Sequence, residues 1–186
     1  MIKGFILGVL ATLILGIAVW LSVAYTGIYN VAASDPHADV VRWTLETGMR
    51  RSVASRADEV TLPETFSQER IVEGGRHYAE SCVQCHGAPG EDPAQWSRGM
   101  RPEPPHLVEA ATEWSPEEIY WIVENGIRMT GMPAMGGHHS PEDIVALTAF
   151  VEALPGLTAE DYQALAGPAS RHGGHHSSGA AAEPEE

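Results

Sequence analysis

Cysteine is scarce in this chain of 186 residues, which has only Cys82 and Cys85. Two thiols three positions apart cannot staple a domain of this size, so a disulfide scaffold is excluded. With no further cysteine, the second paired knuckle of a structural zinc site is missing too. No stretch alternates apolar and polar residues like a run of strands, so an all-α fold is expected and the βαβ setting of a thioredoxin-like dithiol is absent. Basic residues are few as well: residues 61–166 hold 17 acidic and 5 basic side chains. That balance disfavours nucleic-acid binding, which needs basic surface. An acidic face can steer a basic protein partner or simply keep the domain soluble, and both readings stay open.

Charge is missing altogether from Gly4 to Ala24. About 20 apolar residues suffice to cross a bilayer, so this run reads as a single transmembrane helix. A cleaved signal peptide is the alternative, since Ser22-Val23-Ala24 and Val31-Ala32-Ala33 offer small residues, but its apolar region spans only ~7 to 15 residues. Lys3 precedes the span, and positive charge stays cytoplasmic. The expected location is therefore the inner membrane of a bacterium, single-pass, with the C-terminal domain in the periplasm.

Four regions are expected: an anchor at 1–27, a membrane-proximal helix and linker at 28–66, a helical domain at 67–166, and a disordered tail at 167–186. In the second region Asp35 can cap a helix with Pro36 in its first turn. Its arginines, Arg42, Arg50, Arg51 and Arg56, suit either anionic lipid headgroups or an ordinary helix packed on the globular part. A helix is expected over 69–83, then a Gly- and Pro-rich loop of about 22 residues, a length usually reserved for function. Ser115-Pro116-Glu117-Glu118 and Ser140-Pro141-Glu142-Asp143 are helix starts, with Asn125-Gly126 and Pro155-Gly156 as stops. A short helix is expected over 158–165. The tail carries His172, His175 and His176, which could capture copper or nickel or simply be solvated.

Cys82-Val83-Gln84-Cys85-His86 is a C-x-x-C-H pattern. Two thiols at this spacing, followed by histidine, fit covalent attachment of haem c with His86 as an iron ligand. Electron-transfer haem takes a sixth ligand, and a methionine thioether there raises the reduction potential. Residues 128–139, "RMTGMPAMGGHH", supply Met129, Met132, Met135, His138 and His139 beyond the next helix. Gly131 frees the backbone before Met132 and Pro133 stiffens it after, so Met132 is favoured over the others.

Over about residues 68–166 the chain resembles the membrane-anchored bacterial group of single-haem class I cytochromes c. The resemblance rests on Gly75 and Tyr78 before "CVQCHG", on "NGIRMTGMPAMG", and on the closing "SPEDIVALTAFVEALP". It implies thioether bonds at Cys82 and Cys85, His86 as proximal and Met132 as distal ligand, and Pro105 of "PPHL" as carbonyl acceptor for the His86 imidazole. It also implies that Gly75 and Tyr78 pack against the last helix near Phe150, and that Met129 and Met135 pack against haem edge or core. Arg98, Arg101 and Trp121 become candidate propionate partners. His106 is expected to be a loop residue, and His138 and His139 a solvated turn.

The implied function is electron carriage between respiratory or dehydrogenase partners, as a free tethered carrier or a subunit of a membrane oxidoreductase, rather than catalysis by the chain alone. A haem-based redox or gas sensor and a copper-handling protein are the competing readings.

Overall fold

The computed structural model describes residues 2–167, so the tail with His172, His175 and His176 lies outside it. Among the described residues the chain is helical without a strand, as expected, and divides between Arg42 and Trp43 into two compact units.

The N-terminal unit is dominated by α1 (Ile2–Thr26), 25 residues with no buried side chain and with length and composition enough to cross a membrane. At 1.5 Å per residue it exceeds a hydrocarbon core of ~30 Å. Its two threonines are satisfied within the helix, Thr12 Oγ1 donating to the Gly8 carbonyl (3.0 Å) and Thr26 Oγ1 to the Ser22 carbonyl (2.6 Å). In hydrocarbon an unpaired hydroxyl would be costly, so this back-bonding suits a span. Gly27, at φ 68°, ends it.

The second helix begins later than expected. α2 is Asp39–Ala57, and Asp35 is spent on a preceding turn: its carboxylate accepts from Asn30 Nδ2 and its N–H donates to the Ala32 carbonyl. Ala38 instead presents the carbonyl that receives the first helical N–H groups.

Within the C-terminal unit the far part of α2 is packed rather than free. Val53 and Ala57 are buried, and Arg50 both donates to Glu113 Oε2 (2.6 Å) and lies 4.7 Å over the Trp114 ring. The packing reading therefore holds for this half of the helix.

The core is built by α3 (Gln68–Ser81), α6 (Pro116–Asn125), α7 (Pro141–Ala153) and α8 (Ala159–Ala166). Serine or threonine caps start the last three, each with a reciprocal capping box: Ser115 with Glu118, Ser140 with Asp143, Thr158 with Asp161. These devices satisfy amide donors left over in a first turn, which is why the sequence announces the helices so plainly.

α3 crosses α7 in direct backbone contact. A Cβ on Gly74 would lie 1.9 Å from the Ala146 carbonyl oxygen, whereas one on Gly75 would lie 3.1 Å from the Phe150 ring. The close approach expected at Gly75 thus falls chiefly on Gly74. It brings Tyr78 to Phe150 (ring centroids 5.1 Å apart), and Phe150 in turn meets Tyr162 of α8 at 6.2 Å. All three rings are buried, and such tilted pairs add to plain area burial.

Candidate functional site

α3 does not carry the C-x-x-C-H residues on its last turn. It stops at Ser81, Cys82 bends the chain at φ −113°, and a separate single turn, α4 (Val83–His86), follows. The Cys82 carbonyl accepts from both Cys85 N and His86 N at 3.0 Å, so the two thiols and the imidazole project from one compact turn. Both cysteines are free thiols and half-buried. Burial first, and then Cys85, pushes the Cys82 thiol up to about 12, and burial raises Cys85 as well.

His86 is fixed by the main chain of a distant loop. Its Nδ1 lies 2.8 Å from the Pro105 carbonyl oxygen. A carbonyl only accepts, so Nδ1 carries the proton and Nε2 is the ring nitrogen with a lone pair to offer. Burial lowers the His86 pKa, the Pro105 bond raises it in part and His106 lowers it further, which keeps the ring neutral.

Gly87 completes the turn in the left-handed region, at φ 64°. A Cβ there would lie 2.6 Å from His106 Nε2 and 2.9 Å from the Glu91 carbonyl. His106, next to Pro105 in the chain, therefore stands close to Gly87. The Gly87 carbonyl accepts from the buried Tyr78 hydroxyl at 2.6 Å.

The long loop after Gly87 is not structureless. Ala88 and Glu91 pair through two main-chain bonds, Ala94 N donates to the Gln84 carbonyl (2.8 Å), and a 3₁₀ turn covers Ser97–Gly99. A short helix, α5 (Leu107–Ala110), and a 3₁₀ turn (Ala111–Glu113) lead into α6. Met100, held by its N–H to the Ser97 carbonyl, places its sulfur 2.7 Å from where a Cβ on Gly131 would be. A chain of contacts thus runs from α4 through Gln84, Ala94, Ser97 and Met100 to the loop that carries Met132.

That loop is pinned on both sides of Met132. Met132 N donates to Thr130 Oγ1 (3.0 Å), and the Met132 carbonyl accepts from Ile127 N (3.2 Å). Met135 N and Gly136 N donate back to the Val123 and Glu124 carbonyls, both at 3.0 Å. Gly126, at φ 64°, lets the chain double back: a Cβ there would sit 2.6 Å from the Pro133 carbonyl carbon and 2.8 Å from the Met132 oxygen. Met132 is half-buried and Met135 packs against the core, as expected. Met129 differs: it adopts a left-handed backbone (φ 64°) and is 79% exposed, so it packs on no core.

The remaining candidates divide. Arg98 pairs with Asp92 (3.3 Å), and Arg101 donates to the Arg98 and Met100 carbonyls. Trp121 is half-buried on α6 and His138 is exposed. His139 is no solvated turn: it is half-buried, its Nδ1 is enclosed, and its ring stands edge-on to that of His77. Sequence reasoning missed Gly74, the Tyr78 to Gly87 bond, Met100 and Thr130. Of these only Thr130 left a signal, since a threonine two residues before a turn amide is a common local acceptor.

The donor set fits a haem: two thiols and a neutral imidazole on one turn, and a thioether on a separate stiff loop. Residues 69–151, from α3 into α7, match the family model described as cytochrome c oxidase, cbb3-type, subunit III. No curated protein and no solved structure matches the chain.

Proposed function

Residues 69–151 form a class I-like c-type cytochrome domain that carries one covalent haem c and acts in electron transfer, and from that premise we propose a tethered single-electron carrier facing the periplasm. Cys82 and Cys85 hold the thioether bonds, His86 is the proximal ligand through Nε2, and Met132 is the distal ligand. Bound there, the haem supplies a one-electron Fe(III)/Fe(II) couple. The Pro105 carbonyl, by accepting from His86 Nδ1, fixes the imidazole plane and raises its basicity. The pinned loop around Met132 resists ligand exchange between the two oxidation states. The acidic surface of residues 61–166 steers a basic partner, and α1 keeps the domain near its partners by effective concentration. The same anchor would serve a fixed subunit of a membrane oxidoreductase.

The observation that carries this reading is the His86 to Pro105 bond on the turn that also bears both thiols. The test is the ferric absorption spectrum of the haem-loaded chain. The weak far-red charge-transfer band of methionine-to-iron ligation is expected in the native protein and absent from Met132→Ala. If the band persists in that variant, the assignment passes to Met135 or Met129.

A further inference from the structure

Ahead of the C-x-x-C-H turn, along the middle of α3, a second group of ligating side chains converges. Glu73 and His77 are four residues apart, so they share one face of α3. Asp143, at the start of α7, meets them: His77 Nε2 lies 3.4 Å from Asp143 Oδ1, and one ligand atom from each of Glu73, His77 and Asp143 falls within 4.8 Å of the others. All three are half-buried.

The site is braced from behind. The other oxygen of Asp143, Oδ2, accepts from Ser140 N at 2.9 Å, so the capping box holds the carboxylate with Oδ1 turned toward His77. Arg70 Nη1 pairs with Glu73 Oε2 at 3.1 Å, leaving Oε1 as the oxygen to offer. Among the described residues, His139 Nδ1 is the buried side-chain nitrogen or oxygen that lacks a hydrogen-bond partner, and its ring stands 5.5 Å from the His77 ring at 77°. A buried polar atom without a partner calls for an explanation, and a bound ion is one.

We propose that Glu73, His77, Asp143 and His139 form a second metal site, specific for a divalent transition-metal cation of the zinc type. Two imidazoles with two carboxylates suit zinc, with copper and nickel as competitors, and argue against calcium or magnesium, which take oxygen donors. Tetrahedral zinc with bonds of ~2.0–2.1 Å needs ligand atoms about 3.3 Å apart; the Glu73, His77 and Asp143 atoms, now within 4.8 Å of one another, would close on the ion, and His139 would join them from its place beside the His77 ring. The ion would join α3 to the exit of the 126–140 loop and to the first turn of α7. It would act as a clamp on the end of that loop away from Gly126.

The test uses the full-length, haem-loaded protein in detergent, with His172, His175 and His176 of the tail replaced by alanine to remove the competing donors. Zinc chloride is titrated calorimetrically after chelator treatment. One equivalent should bind, with a rise in melting temperature, and the zinc X-ray absorption edge should show nitrogen and oxygen neighbours without sulfur. His77→Gln and His139→Asn should each weaken binding by tenfold or more, the range expected for loss of one ligand or its support, while leaving the haem spectrum unchanged. The proposal is overturned if the tail-substituted protein binds no zinc, if both variants bind as the parent does, or if sulfur appears among the neighbours. The first two outcomes leave the haem assignment untouched, because its ligands lie on other residues, and sulfur neighbours would be traced by whether the haem spectrum changes as zinc binds.

Discussion

The Tyr78 hydroxyl donates to the Gly87 carbonyl over 2.6 Å, and so ties the last turn of α3 to the residue immediately after His86. Both partners are buried and the bond spans the bend at Cys82, so it sets the angle at which α4 leaves α3. Tyr78→Phe keeps the ring packing on Phe150 but strands the Gly87 carbonyl. Leaving a buried acceptor unpaired costs about 1–3 kcal/mol, to be read as a lower denaturant midpoint with an unchanged slope.

Glycine is required at position 74 for steric reasons. In Gly74→Ala the added carbon meets the main chain of Ala146, which cannot swing aside, so α3 and α7 must separate. In Gly75→Ala it meets the Phe150 ring edge at 3.1 Å and the Leu165 carbonyl carbon at 3.3 Å, where small shifts suffice. Overpacking typically costs about 1–3 kcal/mol, and Gly74→Ala should reach or exceed the upper end while Gly75→Ala stays near the lower. Equal unfolding midpoints for the two variants would contradict the packing described.

Thr130 braces the Met132 amide, and Thr130→Val removes that acceptor at nearly constant volume. A net hydrogen bond is worth about 1 kcal/mol, or roughly a fivefold change in an equilibrium. Added imidazole should therefore displace the Met132 thioether from ferric iron at about fivefold lower concentration, followed at the far-red band. No shift would mean that the loop is held by its main-chain bonds alone.

Alkaline pH should weaken the core. Burial first, with Glu91 and Cys82 adding, pushes the Tyr162 phenol up to about 12, and burial likewise raises Tyr78. Folding thus favours the neutral phenols. Their contribution is whole below the unfolded value near pH ~10 and is lost as pH rises toward 12 and beyond. Urea midpoints should be flat from pH 8 to 10 and then fall, and Tyr162→Phe should lessen the slope. A midpoint constant to pH 12 would count against this burial.

The helices were legible because their ends carry local chemistry. Ser115 to Glu118, Ser140 to Asp143 and Asn125-Gly126 need only neighbouring residues to work, and the structure places helix ends there. Asp35-Pro36 carries the same signal but does not start α2, because Asn30 claims the carboxylate. The break at Cys82 depends on Tyr78 reaching Gly87, nine positions on, and the crossing at Gly74 on residue 146, far along the chain, so no helix-end pattern announces either. For the candidate site, motif spacing located Cys82, Cys85 and His86, and resemblance supplied Pro105, whose bond to His86 is present. His139 looks solvated in the sequence because nothing nearby in the chain encloses it; His77, 62 positions earlier, faces it instead.

The doubling back of the chain at Gly126 makes residues 123–136 a unit of fixed length. The Val123 and Glu124 carbonyls accept from Met135 and Gly136, and Ile127 N donates to the Met132 carbonyl, so one inserted or deleted residue between them would put every pairing out of step. Anyone transplanting this methionine loop into another helical scaffold should move it whole, from the last turn of α6 through Gly136. Lengthening is better tried beyond that point, at the exposed Gly137.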